Sequence, residues 1–342
     1  MENKDLYVLS AKQVSIQQPL DESWMQDPIT YAEPYVRSID PSFKDYVSPI
    51  EARRMGKILK RALATSKEAI KASGLESVDA IVTGTGYGCI ENTEFFLDAL
   101  SNEGEQLLKP TYFMQSTHNT ISSLVAIQTK NHGYNATYAH KGISFDSALQ
   151  DAWMQFRLGK INSALVGGHD EMTPTFYKIL RKGGVMGLDD EMCGEAAVSV
   201  VLGRQSEGAL CRLTGFKMLH QPSMNTMMDS VTTMLQTVGK SLSDIDFVLT
   251  GISGNHQSDS DYLSECKTLF GGKTLLKFKH LFGESFTASG IGFYVAAQCL
   301  KAGFVPASLF VDQERITDKR PSCILLYNHS DGKNCSLTLL EV

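Results

Sequence analysis

Ala69-Ile-Lys-Ala-Ser-Gly-Leu-Glu-Ser-Val-Asp-Ala-Ile-Val-Thr-Gly84 runs from a helix end through a small-residue break and an acidic turn into an apolar strand closed by glycine. Met234-Leu-Gln-Thr-Val-Gly-Lys-Ser-Leu-Ser-Asp-Ile-Asp-Phe-Val-Leu-Thr-Gly251 repeats that order. A second pair follows each of them: Ala152-Trp-Met-Gln-Phe-Arg-Leu-Gly-Lys-Ile161 matches Ala296-Ala-Gln-Cys-Leu-Lys-Ala-Gly-Phe-Val305. Two matched pairs in the same order predict a duplicated α/β unit, with halves 1–205 and 206–342. The plainer alternative is chance likeness between generic helix–strand junctions.

Outward from these stretches the same alternation continues. From Glu51, Met55, Ile58, Leu59, Ala62, Leu63, Ala69 and Ile70 form one apolar stripe at helical spacing, ended by Gly74. Apolar runs at Val78–Thr83, Ser163–Val166, Ala197–Leu202, Phe247–Leu249 and Cys323–Tyr327 read as buried strands. Short apolar strands between helices predict a sheet with helices on both faces. The first fifty residues hold five of the ten prolines, which predicts a short strand at Leu6–Ser10 and then a long surface loop.

Composition narrows the function. The chain has 342 residues, 42% hydrophobic and 20% charged, with net charge −6, as expected of a folded globular protein. Mild acidity without a basic run argues against a nucleic-acid surface, which needs clustered Lys and Arg. Ser285–Leu300 is free of charge but short of the ~20 residues of a membrane span, so it reads as a buried helix. Met1-Glu-Asn-Lys-Asp lacks the order of a signal peptide, and the seven cysteines show no metal spacing. Buried reduced thiols in a cytoplasmic protein are expected.

An ordered series of motifs then resembles one family. Val82-Thr-Gly-Thr-Gly-Tyr-Gly88 resembles a glycine-rich strand end, and Phe113-Met-Gln-Ser-Thr117 a segment written F-x-P-S-T. Gly133-Tyr-Asn-Ala-Thr-Tyr-Ala-His-Lys-Gly142 falls on a stretch running G-P-x-x-x-x-x-T-A-C. Ala164-Leu-Val-Gly-Gly-His-Asp170, Gly194-Glu-Ala-Ala and the lysine of Lys279-His-Leu-Phe-Gly-Glu284 complete it. From about residue 51 the chain resembles the β-ketoacyl synthases of the thiolase superfamily. That resemblance implies an α/β fold, a thiolase-like αβαβα five-layer sandwich of two pseudo-symmetric halves.

In the family, a cysteine at a buried helix N-terminus is the nucleophile, and two histidines assist decarboxylation. The resemblance puts Gly142 at the nucleophile position, Gly251 at the first histidine and Glu284 at the second, leaving Lys279 of the four. The C-terminal loop, usually G-F-G-G with a gating phenylalanine, is Ser330-Asp-Gly-Lys-Asn334. No catalytic residue is therefore assigned.

Relocated groups are weighed against plainer roles. His140 and Ser144 flank the vacant position and can in principle make an activated hydroxyl, whereas Ser144 equally serves as a helix cap. His256 can replace the missing histidine or be a solvated loop residue; Cys89 can be a displaced nucleophile or a small buried hydrophobe. Lys279 and Glu284 can form a buried ion pair that Glu195 joins. Met224, Met227, Met228 and Met234 share a helical stripe that reads as core.

The function implied is a non-condensing, chain-length-factor-like partner of an active ketosynthase in fatty acid or polyketide (polyene-type) synthesis. Its partners would be an acyl carrier protein or CoA thioester and either an active homologue or a second copy, paired through a strand near Asn135–Ala139. No cofactor, metal, nucleic acid or membrane span is implied. The alternatives are an acyltransferase or decarboxylase with a relocated nucleophile, and an acyl-thioester or carrier-protein binding module.

Overall fold

The computed structural model describes residues 5–105, 108–330 and 333–342. Its strands are β1 (Leu6–Val14), β2 (Tyr35–Val36), β3 (Ala80–Gly84), β4 (Tyr134–Tyr138), β5 (Ser163–Asp170), β6 (Cys193–Gly194), β7 (Ala196–Gly203), β8 (Cys211–His220), β9 (Phe247–Thr250), β10 (Thr274–Lys277), β11 (Cys323–Ser330) and β12 (Asn334–Glu341). Its helices are α1 (Pro49–Ala52), α2 (Lys57–Ala72), α3 (Ile90–Glu103), α4 (Pro110–Gln115), α5 (Thr120–Thr129), α6 (Ser144–Arg157), α7 (Pro174–Lys182), α8 (Met224–Thr237), α9 (His256–Phe270), α10 (Lys279–Phe282) and α11 (Ala288–Ala302).

The main sheet runs β10-β9-β11-β12-β8-β1-β7-β5-β3-β4. Read outward from the central β1–β8 pair, each side has two antiparallel pairings followed by two parallel ones. The two sides meet only where Leu6–Val8 pair with Leu213–Cys211, so the sheet behaves as two five-stranded sheets joined at one end. Helices α6 and α11 pack against each other and against strands of both sides. Outside them, α2 and α5 cover one sheet and α8 lies on the other, packed against α9. Five layers result, and the repeated order is the duplication that the matched sequence pairs predict.

Local chemistry explains the pieces. Strand β3 is buried throughout because parallel strands carry helices on both faces. Helix α11 is buried from Ala288 to Leu300 and built largely of small residues, which lets it sit between two sheets. Gly84 closes β3 under the start of α6: a Cβ there would overlap the Ser144 carbonyl and lie 2.6 Å from Phe145 N. That close approach sets the N-terminus of α6 on the strand end.

Three expectations need correction. Strand β1 runs on to Val14 because the ladder to β7 continues past a bulge. The helix expected from Glu51 is two, since Gly56 breaks it and caps α2. Of the methionine stripe, Met227 and Met234 are core, but Met224 and Met228 are exposed.

Candidate functional site

Carboxyl ends of parallel strands form the crevice in sheets of this kind, and the four positions drawn from the resemblance converge there. A short turn, Lys141–Ile143, carries Gly142 from β4 into α6. Gly251 follows the last residue of β9, Lys279 opens α10 just after β10, and Glu284 follows α10. All four line one cavity of about 400 Å³, together with the end of β11 at Asn328, His329 and Ser330. Hydrogen bonds hold the rim: Gly194 N donates to Glu284 O at 3.0 Å, and Glu284 N to Met192 O at 2.7 Å.

Neither glycine leaves an empty space. A Cβ built on Gly142 would overlap Ser330 Oγ and lie 2.9 Å from Ser330 Cβ. A Cβ built on Gly251 would lie 3.2 Å from Lys279 Nζ and 3.4 Å from Tyr262 Oη. Each glycine is thus closely approached by a side chain from another element. Any side chain at 142 requires Ser330 to move.

Charge in the cavity is arranged around Lys279. Its ammonium pairs with Glu284, the two side chains being 7% and 13% exposed. Burial lifts the Glu284 carboxyl to about 7; Lys279 pulls it down and nearby Glu191 pushes it up. Glu191 is itself held by Ser253 Oγ at 2.8 Å and Gly187 N at 2.6 Å. Glu195 does not join this pair. It faces away and accepts from Arg61 Nη1 at 3.0 Å and Ser38 N at 2.9 Å.

Behind Gly142, the first turn of α6 holds its own anion. Asp146 is buried and accepts from Ser336 Oγ at 2.6 Å, Ser289 Oγ at 2.7 Å and Asn328 Nδ2 at 3.1 Å. Asn328 Nδ2 also donates to Gly142 O at 3.2 Å. Burial raises the Asp146 pKa while these donors restrain it. A carboxylate suits the positive end of a helix, so Asp146 ties β11, β12 and α11 to the start of α6.

The relocated candidates lie elsewhere. Ser144 Oγ donates to Lys141 O at 2.7 Å and accepts from His140 N at 2.9 Å, which is backbone capping. The His140 ring turns instead to Ser147 Oγ at 2.9 Å, in a separate surface pocket. Cys89 is fully buried at the start of α3, and burial pushes its thiol up, which keeps it protonated. His256 is exposed, opens α9 and contacts Asp190 at 3.0 Å. None of the four lines the cavity. Sequence reasoning missed Ser330, Asn328, Glu191 and Asp146. The loop beginning at Ser330 departs from the family pattern in sequence, but no local signal pairs it with Gly142; Asp331 and Gly332 of that loop lie outside the described residues.

Five strands repeated in this order to make ten, in five alternating layers, define a thiolase-like α/β sandwich. The chain belongs to the β-ketoacyl synthase family, whose N-terminal domain matches residues 22–257. The ishigamide ketosynthase/chain length factor superposes with TM-score 0.83 at 16% identity, covering 99% of both chains. A β-ketoacyl synthase from Burkholderia phymatum STM815 gives 0.80 at 15% identity, again over 99% of both chains. A type II polyketide synthase acyl-carrier protein in complex with its ketosynthase gives 0.79 at 14%, over 99% of this chain and 100% of that one. The 3-oxoacyl-[acyl-carrier-protein] synthase 2 of Mycobacterium leprae is 25% identical over 130 residues, 37% of this chain and 31% of that protein. Its Mycobacterium tuberculosis counterpart is 24% identical over 153 residues, 41% of this chain and 37% of that protein. Only about a third of each curated relative is spanned.

Proposed function

We propose that this chain is a non-condensing β-ketoacyl synthase-like subunit, similar in role to a chain length factor. One observation supports the reading: at Gly142 and Gly251, where the resemblance puts the nucleophile and the first histidine, a Cβ would overlap Ser330 Oγ in the one case and lie 3.2 Å from Lys279 Nζ in the other. Condensation needs a thiolate to hold the acyl group and imidazoles to stabilise the enolate; this cavity has no cysteine among its described lining residues and one histidine, His329. In this reading the partner is a homologue that keeps the cysteine and both histidines, and the two act on acyl groups carried by an acyl carrier protein or CoA. The work takes place in the cytoplasm, with the join between the two halves near residue 205.

Pairing through β4 has support in the fold. The two sheet edges are equivalent by the repeat yet differ in cover. At the β10 edge, Phe310 bridges Leu276 and Val311 N donates to Leu275 O. At the β4 edge no strand of the described chain pairs with the outer side. An unpaired edge invites another strand, and a second subunit supplies one. The test is to co-express the chain with a cysteine-bearing homologue and to measure co-purification and acyl products. A stable complex whose product length shifts with this subunit is expected; a chain that remains monomeric beside the homologue and leaves its products unchanged would overturn the reading.

A further inference from the structure

Among the hydroxyls that line the cavity, Ser330 stands closest to Gly142, and the reading above gives it no chemistry. Ser330 ends β11, and its hydroxyl sits where a Gly142 side chain would begin. Its Oγ has no hydrogen-bond partner among the described residues, while Asn328, two residues earlier, is fixed to Gly142 O and Asp146. The strand end is therefore anchored and its hydroxyl is left for a ligand. Cysteines cannot compete for the task, since all seven are buried.

We propose that Ser330 is an acyl acceptor: its Oγ attacks the carbonyl of an acyl thioester that enters the cavity and forms a Ser330 ester. The Oγ–C bond forms as the C–S bond breaks. The hydroxyl proton ends on the departing sulfur, which leaves as a free thiol, and nothing is oxidised or reduced. Glu284, which lines the same cavity and pairs with Lys279, is the carboxyl to which the proposal assigns that proton in transit. The step makes no carbon–carbon bond, so it stands apart from the non-condensing reading and either can fail alone.

The experiment incubates the full chain with a short acyl N-acetylcysteamine thioester and reads the intact mass, then maps the adduct by peptide sequencing. One acyl group per chain on the peptide containing Ser330 is expected, with loss of the adduct in Ser330→Ala. Gly142→Ala places a Cβ against the hydroxyl and is expected to lose the adduct as well. Ser330→Cys reports access separately: iodoacetamide should alkylate that thiol ahead of the seven buried ones. An unmodified wild type overturns the proposal whether or not the Ser330→Cys thiol is alkylated, as does an adduct that persists in Ser330→Ala.

Discussion

Lys279 and Glu284 give the cavity a buried ion pair. A buried pair is costly to desolvate, and removing one partner costs more than removing both, because the other is left uncompensated. Lys279→Met should therefore lower stability by about 3–5 kcal/mol, read as a shift in the urea midpoint, while Lys279→Met with Glu284→Leu should recover most of that loss. Equal losses in the single and double variants would contradict this role. The pair was legible in sequence, as were all four positions lining the cavity, since motif spacing fixes where strand ends fall. What fills the two glycine gaps was not legible. Ser330 and Gly142 are far apart in sequence, and only the fold of β11 against the turn before α6 brings them into contact. His140 and Ser144 misled for a local reason: four residues across a strand-to-helix turn leave Ser144 to cap the backbone while the imidazole points elsewhere.

Elements carry the next two predictions. In α11, Gly290 breaks the propensity rule, and Gly290→Ala would gain about 1 kcal/mol in an open helix. Here the new Cβ would lie 2.7 Å from Val198 Cγ1 and 2.9 Å from Phe145 Cδ2, so overpacking of about 1–3 kcal/mol should win. The expected result is a lower melting temperature; a higher one would show that the middle layer is looser than described. Strand β4 has its own test. Tyr134 N donates to Asp79 O and Tyr138 O accepts from Thr85 N, so alternate residues 135 and 137 direct their backbone groups outward. Asn135→Pro removes one outward N–H and should weaken pairing with a second subunit, seen by light scattering, with little change in melting temperature. An undisturbed oligomer would exclude β4 as the contact. Elements were the most legible scale, because burial on both faces writes apolar runs directly into β3, β5, β7 and β11. The extension of β1 escaped notice: its ladder to β7 is long-range, and Gln13 interrupts the apolar run although it is buried.

Across the whole molecule, buried ionisable groups set the pH response. Glu171 and Glu284 are lifted to about 7 and Asp170 to about 6, chiefly by burial, so folding takes up protons and stability falls as pH rises toward those values. Burial depresses His169 to about 3 and His280 to about 4, so their contribution grows with pH and is complete above the ordinary histidine range. The two effects oppose each other below pH ~6.5 and leave a net decline in stability between about 6.5 and 7.5. A urea midpoint that rises over that interval would contradict this balance. The same whole-molecule view frames the function: two sheets and the middle helices stand complete around a cavity without a thiolate. The most direct measurement is carbon dioxide release and chain extension by the purified chain given acyl and malonyl thioesters. The account predicts neither above the buffer rate, in the wild type and in Gly142→Cys alike, because a sulfur at 142 would face Gly251 and Glu284 rather than imidazoles at those positions. Sustained decarboxylation with carbon–carbon bond formation by the isolated wild-type chain would contradict it.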